Sequence, residues 1–468
     1  MMMKREVMKS VLKEKMMSFL KHRRIILSAI FVLGLALAMP VRAQEDTSPR
    51  DLDMYIHNGD NSFRWDIVSN SRDANGVNCV VNMTSQTWHD IAWKHSMYII
   101  EPEKLTNPEH CILFISGGAI GDAPRQSEMQ TANNIARLSG MYVAVLWQVP
   151  NQPLLGGHNE DGLITETFLK TLETGDTSWP LLFPMTKSAI RAMDAVQELL
   201  RRHRNRDIKG FVVFGFSKRG WTTWLTAATQ DRRVVAIAPM VINTLNMQVQ
   251  SEYQMNNWGF YSEQIGDYSR RGLLAGQIDP NSSQQEKELR ERLWHMIDPY
   301  FYRSRVTIPK LLVHGANDRY WNLDATKFYW DDLIGPKYIL TLPNVGHNLG
   351  TEQQKAMTTI AAYAKLVCSG DALPSMMWKE ETKGNEYTLS VTSNIPAKGA
   401  KLWVAYNEGR DFREAKWTST DLKPLPGSRG NFLATVAKPT SGHVGFYVEL
   451  ETEYEGIPCS LTTEIFNP

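Results

Sequence analysis

Cysteine is scarce in this chain. Only Cys79, Cys111, Cys368 and Cys459 occur among 468 residues, too few for a scaffold held by disulfides. Their spacings match no zinc site, and nothing in the sequence calls for a metal or a cofactor. Cys111 lies inside an apolar run and reads as a packed thiol. Cys368 and Cys459 flank or occupy the C-terminal region, and whether they pair is left open. An excess of one charge is also lacking: 51 basic and 50 acidic side chains give a formal net charge of +1. Nucleic-acid binders usually gather a basic surplus on one face, so no nucleic-acid partner is expected. Internal repeats and low-complexity tracts are missing, and 43% of the residues are hydrophobic. An ordinary globular protein is therefore expected, without long disorder. No apolar run reaches the ~20 residues that a membrane span takes.

The nearest approach to one is at the N-terminus. Lys21, His22, Arg23 and Arg24 precede an apolar run from Ile25 to Met39, followed by Pro40, Val41-Arg42-Ala43 and the polar Gln44-Glu45-Asp46. A basic start, a short apolar stretch and small residues before a polar segment form the pattern of a secretory signal peptide. Residues 1–43 are read as that peptide, and the mature chain as periplasmic or secreted. The alternative is an uncleaved anchor, which would be the chain's only tie to a membrane. No Cys follows the apolar run, which argues against lipoprotein processing. The leader is long, and Met16 or Met17 is a candidate initiator.

From Cys111 onward, short apolar runs alternate with amphipathic ones. Cys111–Ile115, Tyr142–Trp147, Phe211–Phe214, Val234–Ala238, Leu311–Val313 and Tyr338–Leu342 are continuous in hydrophobicity, as strands buried on both faces of a parallel sheet are. Thr186–Arg202 and Gln353–Val367 carry helical patterns between them. The alternation predicts a doubly wound, mostly parallel α/β sheet across residues 44–370. Residues 243–305, rich in Tyr, Trp and Gln, read either as a cap over the sheet or as ordinary core helices. After Asp371-Ala-Leu-Pro374 the helical patterns stop. Tyr387–Val391, Lys401–Tyr406, Val444–Leu450 and Leu461–Ile465 alternate as short strands do, predicting a small Ig-like β-sandwich over 371–468.

The chemistry concentrates where strands end. Phe211-Val-Val-Phe-Gly-Phe-Ser217-Lys-Arg-Gly220 runs a buried strand into Gly-x-Ser and then a helix, the context of a nucleophile elbow. The usual motif has glycine two residues after the serine; here Arg219 stands there and Gly220 follows. Asp318 comes just past Leu311–Val313, and His347 just past Tyr338–Leu342. The order Ser, Asp, His, each after a strand, is that of α/β-hydrolases. Ser217 is thus read as nucleophile, His347 as base and Asp318 as the acid that orients it, with Asp324 competing for the acid role. His314, on the strand side of the acid loop, reads as structural. Ser116-Gly117-Gly118-Ala119 opens from the first parallel strand. The amides of Gly118 or Ala119, with that of Lys218, would form the oxyanion hole. Lys218 and Arg219 read as a solvated helix start or as attractors of an anionic substrate. Glu160-Asp161 receives no role.

The stretch Gly-Phe-Ser217-Lys-Arg-Gly-Trp-Thr-Thr-Trp224, with Ala236-Ile-Ala-Pro-Met-Val-Ile-Asn-Thr-Leu-Asn-Met247, resembles the PhoPQ-activated pathogenicity-related family. Met83–Trp88, Asn151–Leu154, Asp298-Pro-Tyr300 and Pro343-Asn-Val-Gly-His347 carry the resemblance along nearly all of the mature chain. It implies an α/β-hydrolase core with a C-terminal β-sandwich, exported by a Gram-negative bacterium under a regulator of envelope stress. It also implies that Ser-Lys-Arg-Gly is the family's own form of the elbow, and it supplies no substrate. The expected activity is hydrolysis of an ester or amide bond in a small-molecule or peptide acyl substrate. The alternative is a catalytically silent binding or interaction protein on the same scaffold.

The leader gives a direct test. N-terminal sequencing of the protein from an envelope fraction is expected to begin at or near Gln44; a full-length, membrane-retained chain would contradict the signal-peptide reading.

Overall fold

The computed structural model describes residues 46–468; the leader and its expected cleavage site after Ala43 lie outside them. A short helix α1 (Asp51–Ile56) leads into three antiparallel strands, β1 (Arg64–Asp73), β2 (Gly76–Trp88) and β3 (Ile91–Pro102). Six strands follow: β4 (Asn107–Ile115), β5 (Met141–Leu146), β6 (Gly210–Phe216), β7 (Val234–Met240), β8 (Lys310–Gly315) and β9 (Lys337–Leu342). They lie in the order β5-β4-β6-β7-β8-β9, all parallel, with β3 antiparallel to β5. The six apolar runs seen in the sequence are these strands; β5 and β8 are buried along their whole length and β6 along all but Phe216, as cover on both faces requires.

Helices provide that cover. On one face pack α2 (Gln126–Ser139) and a C-terminal helix (Gln353–Ser369), through Ala132, Ile135, Met357 and Ile360. Between α2 and that helix in the chain come α3 (Glu160–Thr174), α4 (Leu182–Arg204) and α5 (Lys218–Ala228), which build the larger core on the opposite face. In α4, Ala189, Ala192, Met193, Val196 and Leu200 recur at helical spacing and are all buried. Residues 243–305 hold α6 (Met247–Trp258), α7 (Gly266–Ser269) and α8 (Gln284–Ile297), and the C-terminal helix is α9. The last turn of α8, with Leu293, Trp294, Met296 and Ile297, belongs to the main core, while other side chains of this segment wall the space above Ser217. The segment thus contributes side chains both to the core and to the pocket that contains Ser217.

Beyond α9, β10 (Met376–Lys383), β11 (Glu386–Ser393) and β14 (Asn431–Ala437) form a separate three-stranded antiparallel sheet. Facing it are β12 (Gly399–Asn407), β13 (Thr418–Asp421), β15 (His443–Tyr454) and β16 (Ile457–Thr462). Leu389, Val391, Phe432 and Val436 from one sheet meet Leu402, Phe446 and Val448 from the other in a common core. This is the small β-sandwich. Its second sheet also continues the central one, because β16 pairs with β9 at Thr462 and Ile339. The join is reinforced by Glu449, fully buried in β15, which pairs with Lys355 of α9 and accepts a hydrogen bond from Trp403 Nε1 at 2.8 Å. Burial pushes the Glu449 carboxyl up, but Lys355 together with hydrogen bonds from Trp403 and Ser460 holds the group below its ordinary value.

All four cysteines are free, so Cys368 and Cys459 form no bridge. Cys111 is packed within β4, and burial pushes its thiol well up. Among the described residues no helix is long and apolar enough to cross a membrane, and no cluster of His, Cys, Asp or Glu is set to hold a metal.

The shared sheet sets an expectation for limited proteolysis. Cleavage in the exposed connection after Ser369 should leave two fragments that co-elute on size exclusion and separate only in denaturant. A C-terminal fragment released under native conditions would show that the join contributes little.

Candidate functional site

Ser217 sits where β6 gives way to α5, with φ 56° and ψ −124°. Few residues other than glycine adopt such a φ, and holding one there costs on the order of 1–3 kcal/mol. The turn closes because its neighbours are bare. A Cβ on Gly215 would lie 2.8 Å from the Arg219 backbone and Cβ, and one on Gly220 would lie 2.8 Å from the Met240 carbonyl oxygen and Ile242 Cγ2. Gly220 therefore serves close packing one position later than the usual motif, and Arg219 is free to carry a side chain. The Ser217 amide donates to the Met240 carbonyl at 2.8 Å, tying the turn to β7.

The structure brings the three predicted residues into one hydrogen-bonded chain. His347 Nε2 lies 2.8 Å from Ser217 Oγ, and His347 Nδ1 lies 2.8 Å from Asp318 Oδ2. The other carboxylate oxygen of Asp318 accepts from the Tyr320 amide at 3.0 Å, and the Tyr320 ring lies over the imidazole, centroids 4.2 Å apart. Asp318 is buried, whereas His347 keeps a quarter of its side chain exposed. Asp324 is turned elsewhere, bound to Lys327 Nζ at 2.6 Å and the Tyr253 hydroxyl at 2.9 Å. His314 is buried behind the acid loop, and burial pushes its imidazole down to about 4.

The two candidate donors of the first loop differ. The Ala119 amide already donates to Asp122 Oδ2 at 2.7 Å. Gly118, at φ +114°, makes no such bond. The Lys218 amide is the first of α5 and has no acceptor within the helix. Of the predicted set, the Ala119 amide is thus occupied, while no acceptor is found for those of Gly118 and Lys218 among the described residues.

Lys218 and Arg219 are not a solvated helix start. Both are buried. Arg219 makes a two-pronged pair with Glu160, each nitrogen–oxygen distance 2.7 Å, and Lys218 Nζ lies 2.9 Å from Glu160 and 3.3 Å from Asp161. Asp161 also accepts from the Tyr268 hydroxyl at 3.1 Å, linking the cluster to the cap segment. Two cations and two carboxylates cancel, so this end of the site presents no net positive charge. Glu160 and Asp161 have no legible role in the sequence, because a partner such as Arg219 lies 59 residues from Glu160. Burial pushes the Glu160 carboxyl up, but the hydrogen bonds and charge of Arg219, with the charge of Lys218, hold it well below the usual carboxylate range.

Ser217 and Lys218 line a partly open pocket. Trp221, Ile242, Met247, Leu274 and Trp294 give it apolar walls, and Gln248 and Thr244 add uncharged polar groups.

A serine at the apex of a strand–turn–helix elbow, on a mostly parallel sheet covered on both faces, defines an α/β-hydrolase fold. Within that class the chain belongs to the PhoPQ-activated pathogenicity-related protein family, whose sequence model matches residues 52–413. It is also 29% identical over 438 residues to autocrine proliferation repressor protein A of Dictyostelium discoideum, covering 86% of each chain. Similar solved structures include an acetyl xylan esterase of a Paenibacillus species (16% identity, TM-score 0.48, 69% of this chain and 99% of that one). An S-formylglutathione hydrolase of Agrobacterium tumefaciens is similar at 12% identity and TM-score 0.43, over 65% and 99%.

The charge cluster yields a prediction. Glu160→Gln should leave two buried cations short of a carboxylate. Because the Glu160 side chain is 39% exposed, solvent screens the pair, and the loss in unfolding free energy should be about 1–2 kcal/mol, below the 3–5 of a fully buried pair. Glu160 has its pKa lowered on folding, so its stabilisation is complete above ~pH 5 and fades only in acid. Denaturant titrations should show the same deficit at neutral and mildly alkaline pH and a smaller one below pH ~3. A deficit that grows in acid would contradict this.

Proposed function

We propose that the protein is an exported serine hydrolase that cleaves an ester or amide bond through an acyl-enzyme on Ser217. The observation that carries this reading is the unbroken Ser217–His347–Asp318 chain, two contacts of 2.8 Å, at the foot of a walled pocket. Ser217 Oγ attacks the substrate carbonyl carbon while His347 Nε2 takes its proton. Asp318 holds the Nδ1–H tautomer and stabilises the imidazolium. The carbonyl oxygen becomes an oxyanion facing the amides of Lys218 and Gly118, each such donor contributing roughly 2.7–4 kcal/mol. As the tetrahedral species collapses, the bond from carbonyl carbon to leaving group breaks, and Nε2 returns the proton to the departing alcohol or amine. Water then repeats the cycle on the acyl-serine and frees the acid.

The walls favour an uncharged acyl group. Lys218, which lines the pocket with Ser217, is already neutralised by Glu160 and Asp161. A carboxylate on the acyl chain would enter with no free partner, at the cost of desolvation. Export rests on the sequence before Asp46. The envelope-stress and virulence setting is the one described by the family's name, and we adopt it as part of the proposal.

Turnover of p-nitrophenyl butyrate and labelling by a fluorophosphonate should both fall by about 10^5–10^6-fold in Ser217→Ala or His347→Ala and less in Asp318→Asn, with Asp324→Asn close to the parent. The hemisuccinate ester should be the poorer substrate. Parent-level labelling of Ser217→Ala would overturn the assignment. An unlabelled but folded parent would favour a silent binding protein.

A further inference from the structure

The loops that carry the acid and the base are both bonded to a single loop of the β-sandwich. That loop, residues 408–417, joins β12 to β13. Asn317, the neighbour of Asp318, sends its side-chain amide into it, with Nδ2 2.7 Å from the Ala415 carbonyl oxygen, 3.2 Å from that of Phe412 and 3.4 Å from that of Arg413. Asn344, three residues before His347, pairs both ways with the backbone of Trp417: Nδ2 donates to the carbonyl at 3.0 Å and Oδ1 accepts from the amide at 2.8 Å. The two catalytic loops also touch directly, the Asn317 amide donating to the Val345 carbonyl at 3.0 Å.

Packing backs these bonds. Phe412 and Trp417 are buried with Tyr447 against Ala316 at the root of the acid loop. Gly445 of β15 is what admits them: a Cβ there would stand 3.0 Å from Leu323 Cδ1 and 3.1 Å from the Trp417 ring. A third tie reaches the cap. Glu263 binds Arg319, next to Asp318, and Arg413 of the sandwich loop, each at 2.7 Å. Arg413 in turn lies over the Trp258 ring at 4.6 Å.

We propose that the β-sandwich is a working part of the active site, its 408–417 loop fixing the His347–Asp318 pair through two positioning residues, Asn317 and Asn344. Neither asparagine touches the reacting atoms. Each acts on a catalytic neighbour, and a misplacement of about 1 Å at such a pair can cost ~100-fold in rate. The sandwich loop, the acid loop, the histidine loop and the cap thereby form one unit, and anything that moves residues 408–417 changes the activity of Ser217. The proposal builds on the serine-hydrolase reading, but the placement of the imidazole can be measured without turnover.

The test uses the full-length protein with Asn317→Ala and Asn344→Gly, each alone and combined with Asp318→Asn, and Leu433→Ala on the exposed face of β14 as control. Two readouts are taken on folded protein: the fluorophosphonate labelling rate, and the downfield NMR signal of the His347 Nδ1 proton, assigned by its loss in His347→Ala. Each single variant is expected to label about tenfold or more slowly than the parent and to lose or broaden the proton signal. In the Asp318→Asn background the same changes should cost less than about twofold, because they act through Asp318 and its partner. Parent-like labelling and signal in either folded variant would overturn the proposal, as would an undiminished loss in the Asp318→Asn background, the mark of a merely structural role. If one variant does not fold, the other carries the test. If the parent does not label at all, the hydrolase reading fails, and the proton signal alone decides: lost in the variants it supports the clamp, unchanged it refutes it.

Discussion

Everything in the site depends on a tight turn at Ser217. The chain leaves β6, reverses at a serine with positive φ and starts α5 within two residues, which brings Gly215, Arg219, Gly220 and the Met240 carbonyl into contact. The turn exposes Oγ above the sheet and aims the first amide of α5 at the same space. It also drives two cationic side chains inward, since Lys218 and Arg219 begin a helix whose every residue is buried. Glu160 and Asp161 answer that charge from the start of α3, so the elbow's strain and the ion cluster are one arrangement. A pocket with no net charge beside the nucleophile follows from it.

The acid and base face the opposite constraint. Their loops leave β8 and β9 at the side of the sheet to which the β-sandwich is joined, and β16 continues the hydrogen bonding past β9. The neighbouring sandwich strands then supply a platform close enough for side-chain amides to reach. The nucleophile is thus fixed by the core alone, while its partners are tied both to the core and to the sandwich.

Much of this was legible in the sequence because parallel strands are apolar throughout and catalytic residues follow their ends. The six central strands, the elbow, Asp318 and His347 could all be placed by that rule. The N-terminal strands could not: in β1 only Trp65 and Ile67 alternate toward the core, and the rest of the strand is exposed. The burial of Lys218 and Arg219 was hidden for another reason, since charge adjacent in sequence says nothing about a carboxylate arriving from α3. Ala119 was a reasonable oxyanion donor until Asp122, three residues on, took its amide. Asn317 and Asn344 carried no signal at all. An asparagine in a loop reads as a turn residue, and their partners lie 73 to 98 residues further along the chain.

The central claim is that Ser217 becomes acylated. Acid-quenched mass spectrometry of the protein during turnover of a slowly hydrolysed ester reads that state directly. One added acyl mass is expected, located on the peptide containing Ser217 and absent when His347 is replaced by alanine. Ester turnover with no adduct, or an adduct on any other residue, would contradict it.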